Sequence, residues 1–153
     1  MEPVATRAAG TPRVRPAAVG DASDVARLLD LLGYPCTDAE AGERIAHVIA
    51  DRRQHLLLAE VDGEASGLIA LYTLYSLAHG AELARITALV VAPELSRMGL
   101  GRILLREVEL LSRRHGIHRI EVTSNARRTD AHAFYRACGY GDDSRRFVKM
   151  LCD

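Results

Sequence analysis

The segment Leu89-Val90-Val91-Ala92-Pro93-Glu94-Leu95-Ser96-Arg97-Met98-Gly99-Leu100-Gly101-Arg102 constrains this chain more than any other. An apolar run stops at a proline, a short stretch follows, and two glycines then open a long amphipathic helix. In that helix Leu104, Leu105, Val108 and Leu111 share one face, and Gly116 is suited to the C′ position. A buried strand feeding a helix in this way predicts a helix packed on a sheet. Glycine lets backbone approach a ligand closely, and a helix N-terminus presents unpaired N–H groups with partial positive charge. Together they suit an anion such as a pyrophosphate, and Arg97 and Arg102 add charge. Taken alone, the G-x-G pattern is a weak signal and more often a tight turn that seats the helix. Arg102-Ile103 stands where a Walker loop needs Lys-Ser/Thr, and Leu104 where a dinucleotide fingerprint needs a small residue, so both of those motifs are excluded.

The flanking pattern sets the architecture. Val14–Ala17 reads as a first strand. Asp21 reads as the N-cap of a helix whose face is Val25, Leu28, Leu29 and Leu32, ended by Gly33 and Pro35. Thr37-Asp38-Ala39-Glu40 is a capping box before a second stripe of Ile45, Val48 and Ile49. Strands follow at Leu56–Val61, Leu68–Leu74 and Ala84–Val91, the first two joined by the hairpin signal Asp62-Gly63. After the Leu100–His115 helix come a strand over Ile120–Thr123, a helix over Thr129–Cys138 closed by Gly139, and a last strand over Phe147–Leu151. The order β-α-α-β-β-β-α-β-α-β predicts an α/β (α+β) fold, a mixed and mostly antiparallel sheet with helices on both faces. Residues 1–12, rich in Ala, Pro and Gly, read as a flexible tail, and 13–153 as a single domain.

Charge and cysteine content narrow the function. Twenty basic and twenty acidic residues cancel, so no overall field argues for nucleic acid or an acidic membrane surface. No apolar run approaches the roughly 18–20 residues of a membrane span. Three cysteines, Cys36, Cys138 and Cys152, with no C-x-x-C spacing, argue against a disulfide framework or a zinc site and for a cytoplasmic setting. His115 and His118 flank Gly116 without a third ligand at metal spacing, so no metal is expected.

A second constellation joins the first: Asn125 after a strand, then Ala131-His132-Ala133-Phe134-Tyr135-Arg136-Ala137-Cys138-Gly139-Tyr140. With the Val91–Gly101 stretch, these residues resemble the GNAT superfamily of N-acetyltransferases over roughly residues 13–151. Gly99 and Gly101 match the glycines of the family's Gln/Arg-x-x-Gly-x-Gly/Ala loop; Ser96 takes the Gln/Arg slot, and Arg97 follows one residue late. The resemblance implies the family's acyl-CoA N-acyltransferase fold, acetyl-CoA as acyl donor, no metal, and a small-molecule or peptide amine as acceptor. It is also compatible with a homodimer. It assigns cofactor binding to Leu89, Val90, Val91, Ser96, Arg97, Met98, Gly99, Leu100, Gly101, Arg102, Asn125, Phe134 and Tyr135. Pantetheine would pair with exposed backbone of the strand ending at Val91, with an N–H near Val90 or Val91 meeting the thioester oxygen. Tyr135 matches the family's tyrosine near the sulfur, a phenol able to protonate a leaving thiolate. Ala88 stands where many relatives carry a glutamate. Glu82, placed by strand alternation on the face of Ala88 and Val90, and His79 are the candidate bases, with a water relay as the alternative. Arg127-Arg128 is a candidate for the ribose phosphate. The competing readings are a non-catalytic acyl-CoA-binding module and an unrelated phosphate-binding domain.

Overall fold

Turn chemistry and alternation build a meander first. The computed structural model describes residues 10–123, 129–142 and 146–152. Strands β1 (Arg13–Pro16), β2 (Gln54–Val61), β3 (Glu64–Ser76), β4 (Ala81–Val91) and β5 (Ile120–Val122) lie side by side in chain order. The first four pair antiparallel. Asp62 and Gly63 turn β2 into β3 with φ of 51° and 81°, the two positive values that a type I′ turn requires. β5 runs the same way as β4: the Ala84 N–H donates to the Arg119 carbonyl at 3.0 Å, and Arg85 reaches Glu121 at 3.1 Å. Helix α3 (Leu100–Arg114) forms the crossover that a parallel pair demands.

The helices cover both faces of the sheet. Helices α1 (Ala22–Leu32) and α2 (Asp38–Ile49) bury Val25, Leu28, Ala41 and Ile45 against Leu58, Leu68 and Val90. α3 lies on the other face, because Gly67 and Leu68 alternate and Leu104 Cδ1 sits 3.2 Å from where a Gly67 Cβ would stand. Leu100, Leu104, Leu105 and Val108 are fully buried beneath it. The predicted capping box of α2 forms in both directions: Thr37 Oγ1 accepts the Glu40 N–H and Glu40 Oε1 accepts the Thr37 N–H, both at 3.1 Å. Asp21 occupies the N-cap position of α1, but its carboxylate takes the Ala18 N–H and both terminal nitrogens of Arg15 rather than the helix.

Most predicted elements form, with longer bounds for β3 and β4 because two paired strands extend each other to the Ser76–Ala81 turn. The Phe147–Leu151 strand is a correction. Residues 146–152 carry no regular structure, and Phe147 and Leu151 are each 90% exposed. An apolar run becomes a strand only when it finds a ladder partner, and the described residues provide none. The chain divides into two compact units, one through Glu121 and one from Val122; the second contains α4 (Thr129–Ala137).

Candidate active site

β4 is not a regular strand. Ala70 faces Ala88 and Leu71 faces Ile86, so Thr87 is an extra residue opposite the Ala70–Leu71 step. This β-bulge breaks the alternation. Ala88 and Val90 pack against the α1–α2 side. Ile86 and Glu82 pair with Leu71 and Tyr75, which project on the face of Ile69, the α3 side. The expectation that Glu82 shares a face with Ala88 and Val90 is therefore overturned. Glu82 is exposed, near the hairpin end of β4 and roughly 25–30 Å of strand from Val91. His79 is tied into the hairpin turn, its Nδ1 2.8 Å from Ser76 Oγ. β5 is only three residues long, and the match of Ala84 with Arg119 places its last residue about level with Thr87. The β5-side edge of β4 from Ala88 to Val91 runs on past it.

Beyond β4 the chain turns tightly. Pro93 opens a 3₁₀ turn over Pro93–Met98, and Gly99 takes the left-handed conformation, φ 72° and ψ 26°, as N-cap of α3. The first intrahelical bond is from the Ile103 N–H to the Gly99 carbonyl at 3.1 Å. The N–H groups of Leu100, Gly101 and Arg102 precede it, no side chain caps them, and no acidic residue lies in the first turn. Nothing lies within 4 Å of the point where a Gly99 Cβ would be. Arg97 and Arg102 are exposed and make no ion pair with a carboxylate among the described residues. Leu100 anchors this turn at 0% exposure, Ser96 is exposed, and Leu89, Val91, Met98 and Gly101 are half-buried. The predicted cofactor residues from Leu89 to Arg102 thus lie on the end of one strand, a 3₁₀ turn and one uncapped helix start.

The second unit holds the predicted aromatic pair. Phe134 and Tyr135 lie half-buried on α4, ring centroids 5.5 Å apart. Gly139, at φ 92°, closes the helix: its N–H donates to the Arg136 carbonyl at 3.0 Å, and the Tyr140 N–H to the Tyr135 carbonyl at 2.9 Å. This is a Schellman cap. Asn125, Arg127 and Arg128 lie outside the described residues.

Sequence reasoning missed two features. The bulge at Thr87 has no glycine to announce it; Ala84–Val91 reads as an uninterrupted strand. The other is the approach of His55 on β2 to His115 at the end of α3, with ring centroids 6.1 Å apart. Burial pushes the His55 pKa down, and the neighbouring His115 adds to the effect. No group of three metal-ligating side chains occurs among the described residues, and none of their helices is long and apolar enough to cross a membrane.

Comparison with known proteins agrees with this geometry. Over 103 residues the chain is 35% identical to an aminoalkylphosphonate N-acetyltransferase of Salmonella typhimurium, covering 67% of each protein. It is 30% identical over 142 residues to an aminoglycoside N(6′)-acetyltransferase type 1 of Stenotrophomonas maltophilia, covering 90% of this chain and 91% of the relative. A solved GNAT family acetyltransferase from Staphylococcus aureus superposes with a TM-score of 0.80 at 25% identity, covering 93% of this chain and 100% of its own. The family model for the acetyltransferase (GNAT) family matches residues 25–140, which contain strands β2–β5, the uncapped start of α3 and the Tyr135 helix, so this chain belongs to the GNAT family of acetyltransferases.

Proposed function

We propose that this protein transfers an acetyl group from acetyl-CoA directly to a primary amine of a small molecule or peptide, within a ternary complex. The observation that carries the reading is the start of α3. Its first-turn N–H groups lack a side-chain cap, no carboxylate lies in that turn, the space over Gly99 is open, and two arginines without ion-pair partners among the described residues flank it. A diphosphate satisfies the unpaired donors and complements the helix dipole. The edge of β4 from Ala88 to Val91 leads through the Pro93–Met98 turn to that site and pairs with the amide-bearing pantetheine arm as a further strand would. The family resemblance further assigns Asn125 and Phe134 to cofactor binding. The three cysteines without disulfide or metal spacing support a cytoplasmic setting.

The reaction asks little further of the protein. As the amine nitrogen bonds to the acetyl carbon, the carbon–sulfur bond breaks. Negative charge develops first on the thioester oxygen, where a β4 backbone N–H donates, and then on sulfur. The Tyr135 phenol delivers its proton to the departing thiolate, and the proton released by the amine passes through water and restores the phenol. The relatives named for aminoalkylphosphonates and for aminoglycosides both modify an amine, which supports this acceptor class.

The test is thiol release from acetyl-CoA with a panel of amines that includes an aminoalkylphosphonate, an aminoglycoside and a peptide N-terminus. Turnover is expected with at least one amine. Tyr135→Phe is expected to lower kcat by at least about tenfold while the Kd for CoA changes less than twofold. Stabilisation by CoA without turnover of any amine would replace the enzyme by a binding module.

A further inference from the structure

We propose that Tyr140 is a positioning residue that holds the Tyr135 phenol in its working orientation; the inference rests on the reading of Tyr135 as the proton donor. α4 has only nine residues, too few to be stable alone, and Tyr135 sits in its last turn, where a helix frays most readily. Two independent contacts tie that turn to Tyr140. The Tyr140 N–H donates to the Tyr135 carbonyl at 2.9 Å, which occupies one of the carbonyls a helix end leaves without a partner. The Tyr140 ring then meets the Tyr135 ring edge-on, with centroids 5.9 Å apart and planes at 63°. On its other side Tyr135 meets Phe134 at 5.5 Å and 59°. The tyrosine ring is thus held between two aromatic neighbours, one on its own helix and one delivered by the turn that follows. Gly139 makes that delivery possible, since only its left-handed φ of 92° brings Tyr140 back over the last turn.

A phenol that donates a proton to sulfur needs one side-chain rotamer, and the edge-on contact selects it. An aromatic pair of this geometry is worth up to about a tenfold population bias. Without Tyr140, Tyr135 remains on the helix but samples other rotamers. Proton delivery slows, while acetyl-CoA, held chiefly at the start of α3, binds as before.

The experiment measures kcat and the KM for acetyl-CoA in the full chain, with the best amine of the panel or, if none turns over, with hydroxylamine, a small nucleophile that is neutral at pH 7.5. The variants are Tyr140→Phe, Tyr140→Leu and the double variant Tyr135→Phe/Tyr140→Leu, each checked by its thermal melt and by binding of CoA. Tyr140→Leu keeps an apolar contact for the cap but removes the ring edge. It is expected to lower kcat about two- to fivefold with the KM for acetyl-CoA unchanged, Tyr140→Phe to restore the rate, and Tyr140→Leu to add nothing once Tyr135 is phenylalanine. If Tyr135→Phe is slow but Tyr140→Leu matches the wild type, the positioning role is overturned and the Tyr135 reading stands. An equal loss from Tyr140→Leu in both backgrounds makes Tyr140 merely structural and also overturns it. Full activity of Tyr135→Phe, or no thiol release with any nucleophile, overturns the reading of Tyr135 itself and the inference with it.

Discussion

Replacing Gly99 by glutamate separates a phosphate site from an ordinary helix start. Gly99 sits at φ 72° with open space where a side chain would project, so a substitution there meets backbone strain rather than a clash. For a residue with a Cβ, the left-handed conformation costs about 1–2 kcal/mol. In a domain of this size that lowers the melting temperature by about 2–8 °C, and Gly99→Ala should show that loss alone. Glutamate carries the same strain, but its carboxylate faces a helix N-terminus with no acid of its own, which returns about 0.3–1 kcal/mol. Gly99→Glu should therefore melt about 1–4 °C above Gly99→Ala. Binding moves the other way. A carboxylate about 6 Å from a phosphate repels it by about 1–3 kcal/mol per charge, depending on the local dielectric, so CoA should bind at least about tenfold more weakly than to Gly99→Ala. Calorimetric titration of CoA in 0.05 and 0.5 M NaCl supplies the check, because the gap between the two variants should narrow at the higher salt. Equal CoA affinity of Gly99→Glu and Gly99→Ala would show that the diphosphate is not held at the start of α3.

Burial and the neighbouring His115 hold the His55 pKa below its usual 6.5, so the unfolded chain binds the proton more readily; stability is fully present above about pH 6.5 and declines as the pH falls below it, and His55→Gln should flatten the melting temperature between pH 7 and 5. Thr37→Ala removes the acceptor for the Glu40 N–H and should cost about 1 kcal/mol in chemical denaturation, whereas an unchanged midpoint would mean that the capping box contributes nothing. Glu82 lies across the sheet from Ala88 and Val90, so Glu82→Gln should leave kcat/KM within about threefold; a larger loss with a displaced acidic limb in the pH–rate profile would restore it as the base.

Much of the site was legible in one dimension because its parts are local. A strand stopped by Pro93, the left-handed Gly99 and an amphipathic helix are adjacent in the chain, and backbone propensity alone places Leu89–Arg102 in their order. The Gly139 stop and the Thr37–Glu40 box were readable for the same reason: each is closed by hydrogen bonds spanning a few residues. The course of β4 was not readable. Whether Thr87 is a regular strand residue or an inserted one depends on how β3 registers against it, a pairing set by residues more than ten positions away. That register decided which side chains share a face, and it removed Glu82 from beside Ala88. The Phe147–Leu151 run had the pattern of a strand, but pattern without a partner forms no ladder. Sequence by itself determined the helix starts, the turns and the glycine-led, acid-free start of α3. The tertiary structure alone decided the bulge, the length of β4 left beyond β5 and the meeting of His55 with His115, because strand register and burial are properties of packed neighbours and not of any single segment.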